Sequence, residues 1–284
     1  MPDRVDQFES IFKRADTARF EYRRPEIRHV TLVTDLDATD TADLLQRVQR
    51  FLTVLEPDSP EWHTLGEGDY DRKSELLDKL VQQQADLIVT SRNLRQSDKN
   101  TPHSLGVYLD TLTQATPTPV LVLPDVEHRG EGAMTQTASV MVATDHLAGD
   151  ARLISNAVRF TQPAGHVHLC HVEDDAAFAY YLDAISKIPA IDTAIAEQTL
   201  REQLLKQPTD YIAHCIEVLH SHGQTATLHA HVLMGHRLRD YRRLIDQHRT
   251  DLLVLNTKDE DQQAMHGLAY PIAVEFRDIP LLML

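Results

Sequence analysis

Glycine is scarce in this chain, with ten residues among 284. Loops that cradle phosphate need clustered glycines so that backbone amides can approach the anion. None cluster usefully here: neither G-x4-G-K-[ST] nor G-x-G-x2-G occurs, and no G-x-S-x-G nucleophile elbow is present. Cysteine is scarcer still. Cys170 and Cys215 lie in apolar stretches without paired spacing, which reads as buried thiols of a reducing compartment and not as a disulfide framework. Long apolar runs are missing too, so no segment is expected to cross a membrane. The opening stretch "MPDRVDQFESIFKRADTARFEYRR" has no uninterrupted apolar core of the kind a secretion signal needs. The expected location is therefore cytoplasmic. Basic charge is in short supply, 28 Lys and Arg against 43 Asp and Glu, for a net charge of -15. Such a field repels nucleic acid and anionic lipid, and neither is expected as a partner.

What is present is an ordinary globular composition, 42% hydrophobic and 25% charged, at a length that suits two modest domains. The chain also repeats itself. Val30, Thr34 and Asp35 match Val140, Thr144 and Asp145 at an offset of 110, and "ADLIVTS" (85–91) matches "TDLLVLN" (250–256) at an offset of 165. Gly106 and Pro119 match Gly267 and Pro280 at an offset of 161, each pair leading into a short apolar run, "PVLVLP" or "PLLML". Three anchors in one order indicate a tandem duplication.

In each copy a continuous apolar run ("HVTLVTD", "SVMVATD") predicts a strand covered on both faces. Helical spacing follows in "TADLLQRVQRFL" and "ARLISNAVRF", and again in "SELLDKLVQQQ" and "LRDYRRLIDQH". Strands alternating with amphipathic helices imply right-handed crossovers and a parallel sheet. The copies are unequal. The second holds a helix-rich excursion after "GHVHLCHV"; the first goes from its opening helix to "WHTLGEGD" through little more than "TVLEPDSPE". The expected organisation is an N-terminal helical extension over 1–26, a shortened first domain over 27–125, a linker over 126–137 and a second domain over 138–284. Val5, Phe8, Ile11, Phe12 and Ala15 share one face of the predicted extension helix.

A strand ending in aspartate, then "HLCHV", "HVLMGH", "DLLVLN" and a Gly–helix–Pro–"LLML" close, resembles the universal stress protein family, and two copies resemble its tandem members. The resemblance implies an α/β fold of two open parallel sheets, each ordered 3-2-1-4-5 as in adenine nucleotide alpha hydrolase-like domains. It implies that the two copies pair within the chain, with a homodimer as a further step. In nucleotide-binding members, ATP lies at the carboxyl ends of the strands, where open sheets bind ligands. The first-strand aspartate (Asp35, Asp145) lies near the adenosine, and a second-strand valine (Val172) meets the base. The phosphates rest on G-x2-G-x9-G-[ST] after the fourth strand.

That last motif is degraded here. In "NTKDEDQQAMHG", Asn256 and Asp259 stand at the first two glycine positions, Gly267 arrives two residues early, and Leu268 stands where a hydroxyl belongs. Asp259, Glu260 and Asp261 would each repel a triphosphate by about 1 kcal/mol at short range. In "SRNLRQSDKNTPHSLGV", Ser91 and Leu94 replace the glycines and Val107 the hydroxyl, but Arg92, Arg95 and Lys99 are cationic and Ser104 can cap the helix that follows Gly106. This loop is the one place where an anion would be welcome; a solvated basic loop is the plainer alternative. An aspartate between strand and helix also serves as a cap or turn former, so its repetition alone does not establish a ligand.

Sixteen histidines raise a metal question. His166, His168 and Cys170 alternate on one predicted strand, His229 and His231 on its expected neighbour, and a His/Cys zinc site from His168, Cys170, His229 and His231 is geometrically open. His171, His236 and His266 are nearer the ligand end. No short-spaced metal signature accompanies them. The reading is a tandem universal stress protein acting as a non-catalytic stress-response or regulatory binding protein with degenerate nucleotide loops. The alternatives are a member that binds ATP or another adenine nucleotide with weak hydrolysis, and a His-dependent metal enzyme.

Overall fold

The computed structural model describes residues 20–96, 104–124, 134–144, 151–257 and 268–284. The first half opens with β1 (His29–Val33), whose residues after His29 are all buried, as a strand covered on both faces requires. Helix α1 (Ala38–Phe51) begins where the Asp37 carboxylate accepts the Asp40 N–H at 2.9 Å, and it buries Leu44, Val48 and Phe51 along one stripe. Then come β2 (Glu61–Leu65), α2 (Lys73–Gln82), β3 (Leu87–Thr90), α3 (Val107–Ala115) and β4 (Val120–Val122). The second half runs β5 (Ser139–Thr144), α4 (Ala151–Phe160), β6 (His166–Asp174), α5 (Asp175–Ser186), α6 (Thr193–Ser221), β7 (Thr227–Gly235), α7 (Arg237–His248), β8 (Leu252–Leu255), α8 (Ala269–Glu275) and β9 (Leu281–Met283).

The nine strands among the described residues form one sheet in the order β2-β1-β3-β4-β9-β8-β5-β6-β7. Every pairing is parallel except β4 with β9, where Val120 faces Met283 and Val122 faces Leu281. The two expected sheets are thus joined edge to edge. Because the junction is antiparallel, the carboxyl ends of the first-half strands share an edge of the sheet with the amino ends of the second-half strands. Val30 pairs with Leu87 and Val140 with Leu252, so the offsets of 110 and 165 in the sequence reappear as register.

The second half has the expected order 3-2-1-4-5, but among the described residues the first half has four strands, ordered 2-1-3-4. The segment between α1 and β2, Thr53–Asp58, is a 3-10 turn containing Pro57, which has no N–H to give a ladder. β2 then pairs directly with β1, and no chain remains there for a further outer strand. Of the expected extension helix, residues 1–19 lie outside the described residues. Residues 20–28 have no helical structure; they form a strap that buries Phe20 and Ile27. The strap ties the halves together: the Arg23 N–H reaches Ser155 Oγ, Tyr22 meets the His222 ring edge-on, and Arg24 donates twice to Asp58.

One face of the sheet packs on α1, α4 and α6, the other on α2, α3, α7 and α8. Each face carries a buried arginine across the junction. Arg159 of α4 pairs with Asp58 at 2.6 Å and donates to the Val54 carbonyl at 3.0 Å. Arg92 donates to the carbonyls of Leu123, Ala273 and Phe276 at 3.1 to 3.3 Å.

Candidate functional site

Open α/β sheets bind ligands beyond the carboxyl ends of their strands, so the ends of β1 and β3 come first. There the first half closes on itself. The chain turns through positive φ at Asn93 and Arg95 (53° and 57°). The Asn93 N–H donates to the Leu105 carbonyl at 3.1 Å, and the Asp35 carboxylate accepts the Arg95 N–H at 3.0 Å. Gly106, at the start of α3, has φ +90°, and a Cβ there would come within 2.8 Å of Asn93 Cα. A residue with a side chain fits neither that angle nor that space. The backbone of Asn93 therefore lies against the helix start that a phosphate would use.

The two described cationic side chains of this loop are engaged as well. Arg92, a candidate anion ligand by sequence, is 5% exposed and turned toward the junction carbonyls. Arg95 donates to the Glu67 carbonyl, lies 4.3 Å over the Tyr70 ring and sits 3.8 Å from Asp71. Ser104 Oγ accepts the Gly106 N–H at 3.1 Å, a turn contact just before α3. Ser91 is half-buried at the end of β3. Lys99 lies outside the described residues.

In the second half, Asp145 and Gly267 lie outside the described residues, as do Asp259, Glu260 and Asp261. Asn256 follows β8, and its neighbour Thr257 bonds the Leu284 carbonyl through both N–H and hydroxyl. Val172 is fully buried, with its carbonyl accepting from Arg237 Nε at 3.3 Å. His236 caps α7, its Nδ1 accepting from the Arg239 N–H, and His171 pairs with Glu173 at 3.0 Å on the opposite face of β6 from His168; His266 is not among the described residues. An opening of about 730 Å³ lies at the junction between halves, with Tyr22, Arg24, Val54, Arg159 and Gln224 in its wall. Its two arginines are both paired to Asp58.

A different cluster lies at the amino ends of β6 and β7. Register places His168 opposite His229 and Cys170 opposite His231, all on the face that packs against α7. The parallel pairing that the sequence anticipated is what brings the rings together. His168 Nδ1 lies 3.1 Å from His231 Nε2, and His166 Nδ1 lies 3.0 Å from His229 Nε2. His168 stacks on His229 with centroids 4.8 Å apart and planes 12° apart. The last residue of α7, His248, completes the group, with ring centroids 4.4 Å from His168 and 4.7 Å from His231.

Cys170 does not join it. The thiol is fully buried, points to the His168 carbonyl at 3.7 Å, and burial pushes its pKa up, so it stays protonated. The residue that sequence reasoning missed is His248. Its signal is topological: the helix between third and fourth strands runs back to the amino ends of the strands, so the final residue of "LRDYRRLIDQH" arrives beside "GHVH". Burial, and then neighbouring imidazoles led by His248, hold His168 down at about 3 and His231 at about 4; burial, then His166 and His248, lower His229. At neutral pH His168 and His231 are uncharged rings with nitrogen lone pairs.

No family model matches the sequence, and no curated relative matches it. Solved structures do resemble the fold. A functionally unknown protein of Pseudomonas aeruginosa PAO1 aligns over 92% of this chain and 93% of its own at 13% identity, with a TM-score of 0.52. A structure carrying the universal stress protein name, from Pseudomonas aeruginosa UCBPP-PA14, aligns over 92% of this chain and 94% of its own at 12% identity and a TM-score of 0.51. A universal stress protein from Archaeoglobus fulgidus DSM 4304 aligns over 98% and 92%, at 12% identity and a TM-score of 0.47. The first two overlays show a shared α/β fold, and at such identities they speak of the fold alone. Among the described residues no helix is long and apolar enough to cross a membrane.

Proposed function

We propose that the chain is a tandem universal stress protein, with repeats over 27–125 and 138–284 paired through β4 and β9, that acts as a regulatory or protective binding protein without efficient catalysis. The observation that carries this reading is the contact of Gly106 with the Asn93 backbone. A nucleotide-binding member needs backbone amides exposed at the start of that helix; here the protein's own loop lies against it. Asp35 acts as a clasp for the loop by accepting the Arg95 N–H. The fold shared with a universal stress protein structure supports the family, and the repeated register supports the tandem arrangement. With the first-half loop closed, function rests on surfaces and not on phosphate chemistry.

The test is chromatography of the extract released when purified protein is denatured. The expected result is less than about a tenth of an equivalent of adenine nucleotide per chain. A stoichiometric amount would instead support the ATP- or adenine-nucleotide-binding alternative.

A further inference from the structure

Imidazoles gather at the amino ends of the second-half strands, the end opposite to the second-half nucleotide loop, and the nucleotide reading does not involve them. Three of them converge: His168 from β6, His231 from β7 and His248 from the end of α7 each present one nitrogen, and the three lie within 4.8 Å of one another. We propose that His168, His231 and His248 form a binding site for a single divalent transition-metal ion of the zinc class, with water at the fourth position.

The geometry is close to what such an ion requires. Zinc–imidazole bonds of about 2.0 Å in a tetrahedron place the nitrogens about 3.3 Å apart. His168 Nδ1 and His231 Nε2 are already 3.1 Å apart. In the metal-free protein one ring donates its N–H across this gap to the other; when the ion binds, the donating ring shifts that proton to its own second nitrogen and stays neutral, so both lone pairs face the ion. His248 Nε2 is buried and has no hydrogen-bond partner among the described residues, which is costly for a polar nitrogen unless something else binds there. His168 itself is 3% exposed, whereas His231 on the sheet-edge strand is only half-buried, so an ion can enter from that edge and a water can complete its shell. Neutral imidazoles suit zinc, copper and nickel better than calcium or magnesium, which take oxygen ligands. The backbone already holds the third ligand in place, since the His248 carbonyl accepts the Ser139 hydroxyl at 3.1 Å.

The first half provides an internal control. Strand register puts His63 where the second half has His168, and the offset of 165 puts Gln83 where it has His248. Among the described residues, the first half has no outer strand that would supply the counterpart of His231. His63 instead faces Glu61, which also meets His29, each at 3.7 Å, and Glu61 is largely exposed. The same lattice of positions holds three convergent imidazoles in one half and, in the other, two imidazoles around the exposed carboxylate of Glu61, whose ligand atoms also lie within 4.8 Å of one another.

The test uses untagged full-length protein stripped with a chelator and titrated calorimetrically with zinc chloride. The expected result is one equivalent bound with a dissociation constant of about 1 µM or tighter, and cobalt substituted at the site giving the visible absorption of a four-coordinate ion. His248→Gln, which installs the residue the first half carries at that position, is expected to weaken binding at least about tenfold. His231→Gln, on the half-exposed edge strand, should do the same, and His63→Gln should leave binding unchanged. Absence of saturable binding overturns the proposal, and so do His248→Gln and His231→Gln proteins that bind zinc as tightly as the unaltered chain. Loss of the tight site in His63→Gln also overturns it, because the ion would then belong to the first half.

Discussion

The ends of β1 and β5 occupy equivalent places in the two halves, and each is closed by a buried tyrosine that comes from a different part of the chain. Tyr70, from the loop after β2, donates to the Thr34 carbonyl at 3.3 Å. Tyr241, from within α7, donates to the carbonyls of Thr144 and Cys170 at 2.8 and 3.3 Å and accepts the Thr144 N–H at 3.1 Å. The two residues are not related by the repeat, yet each satisfies the backbone just before the repeated aspartate. A parallel strand that ends in the interior leaves polar groups that must be paired. In this protein side chains pair them. The amino ends of the strands differ in the opposite sense, with nitrogens left available in the second half.

Substitutions can break this comparison in order of effect. Arg92→Ala removes the donor to three buried carbonyls at the junction and should cost about 3 kcal/mol, read from urea unfolding. If it changes stability by less than a surface substitution does, the junction is not held by this residue. Gly106→Ala should cost about 2 kcal/mol, since the new Cβ meets backbone at a positive φ. Gly223→Ala, at φ +71° but with nothing within 4 Å, is its control and should cost about 1 kcal/mol. Equal costs would mean that the loop against α3 yields easily, and the closed-loop account would fail. Tyr241→Phe should cost about 1.5 kcal/mol and Tyr70→Phe about half as much, following the number of hydrogen bonds each hydroxyl makes. The reverse order would contradict the comparison.

The smallest effect expected is on pH dependence. His168 sits at about 3 and His231 at about 4 in the folded chain, against an ordinary value of 6.5. Between those limits the unfolded chain binds protons that the folded one does not, so stability rises with pH. The contribution is complete above about pH 6.5 and is lost as pH falls toward 4. Thermal melts should therefore show a lower Tm at about pH 5 than at about pH 7. His231→Gln should flatten part of that slope, and an unaltered slope would mean that the rings titrate as exposed histidines do.

Much of this architecture was legible because its signals are local. Apolar runs marked the strands covered on both faces, helical spacing marked the helices of "TADLLQRVQRFL" and "LRDYRRLIDQH", and the offsets foretold the register. Less legible were features set by pairing between distant segments. No sequence pattern announces that Val120 meets Met283 in antiparallel fashion, or that Arg92 leaves its loop to reach carbonyls near residue 276. Charge made Arg92 look like an anion ligand, whereas burial and three carbonyl partners make it a junction clamp. The short "TVLEPDSPE" stretch has no period of its own to read, and it forms a 3-10 turn with Pro57 inside. Alternation exposed His168, His229 and His231, but only the return path of α7 brings in His248 and leaves out Cys170.

The central claim is that the described part of the first-half loop lies against the helix start where a nucleotide's phosphates would rest. Photolabelling with an azido-ATP probe, followed by peptide mapping, tests it directly. The account predicts no label above background on the peptides spanning residues 91–96 and 104–115. Label on those peptides that unmodified ATP displaces would contradict it.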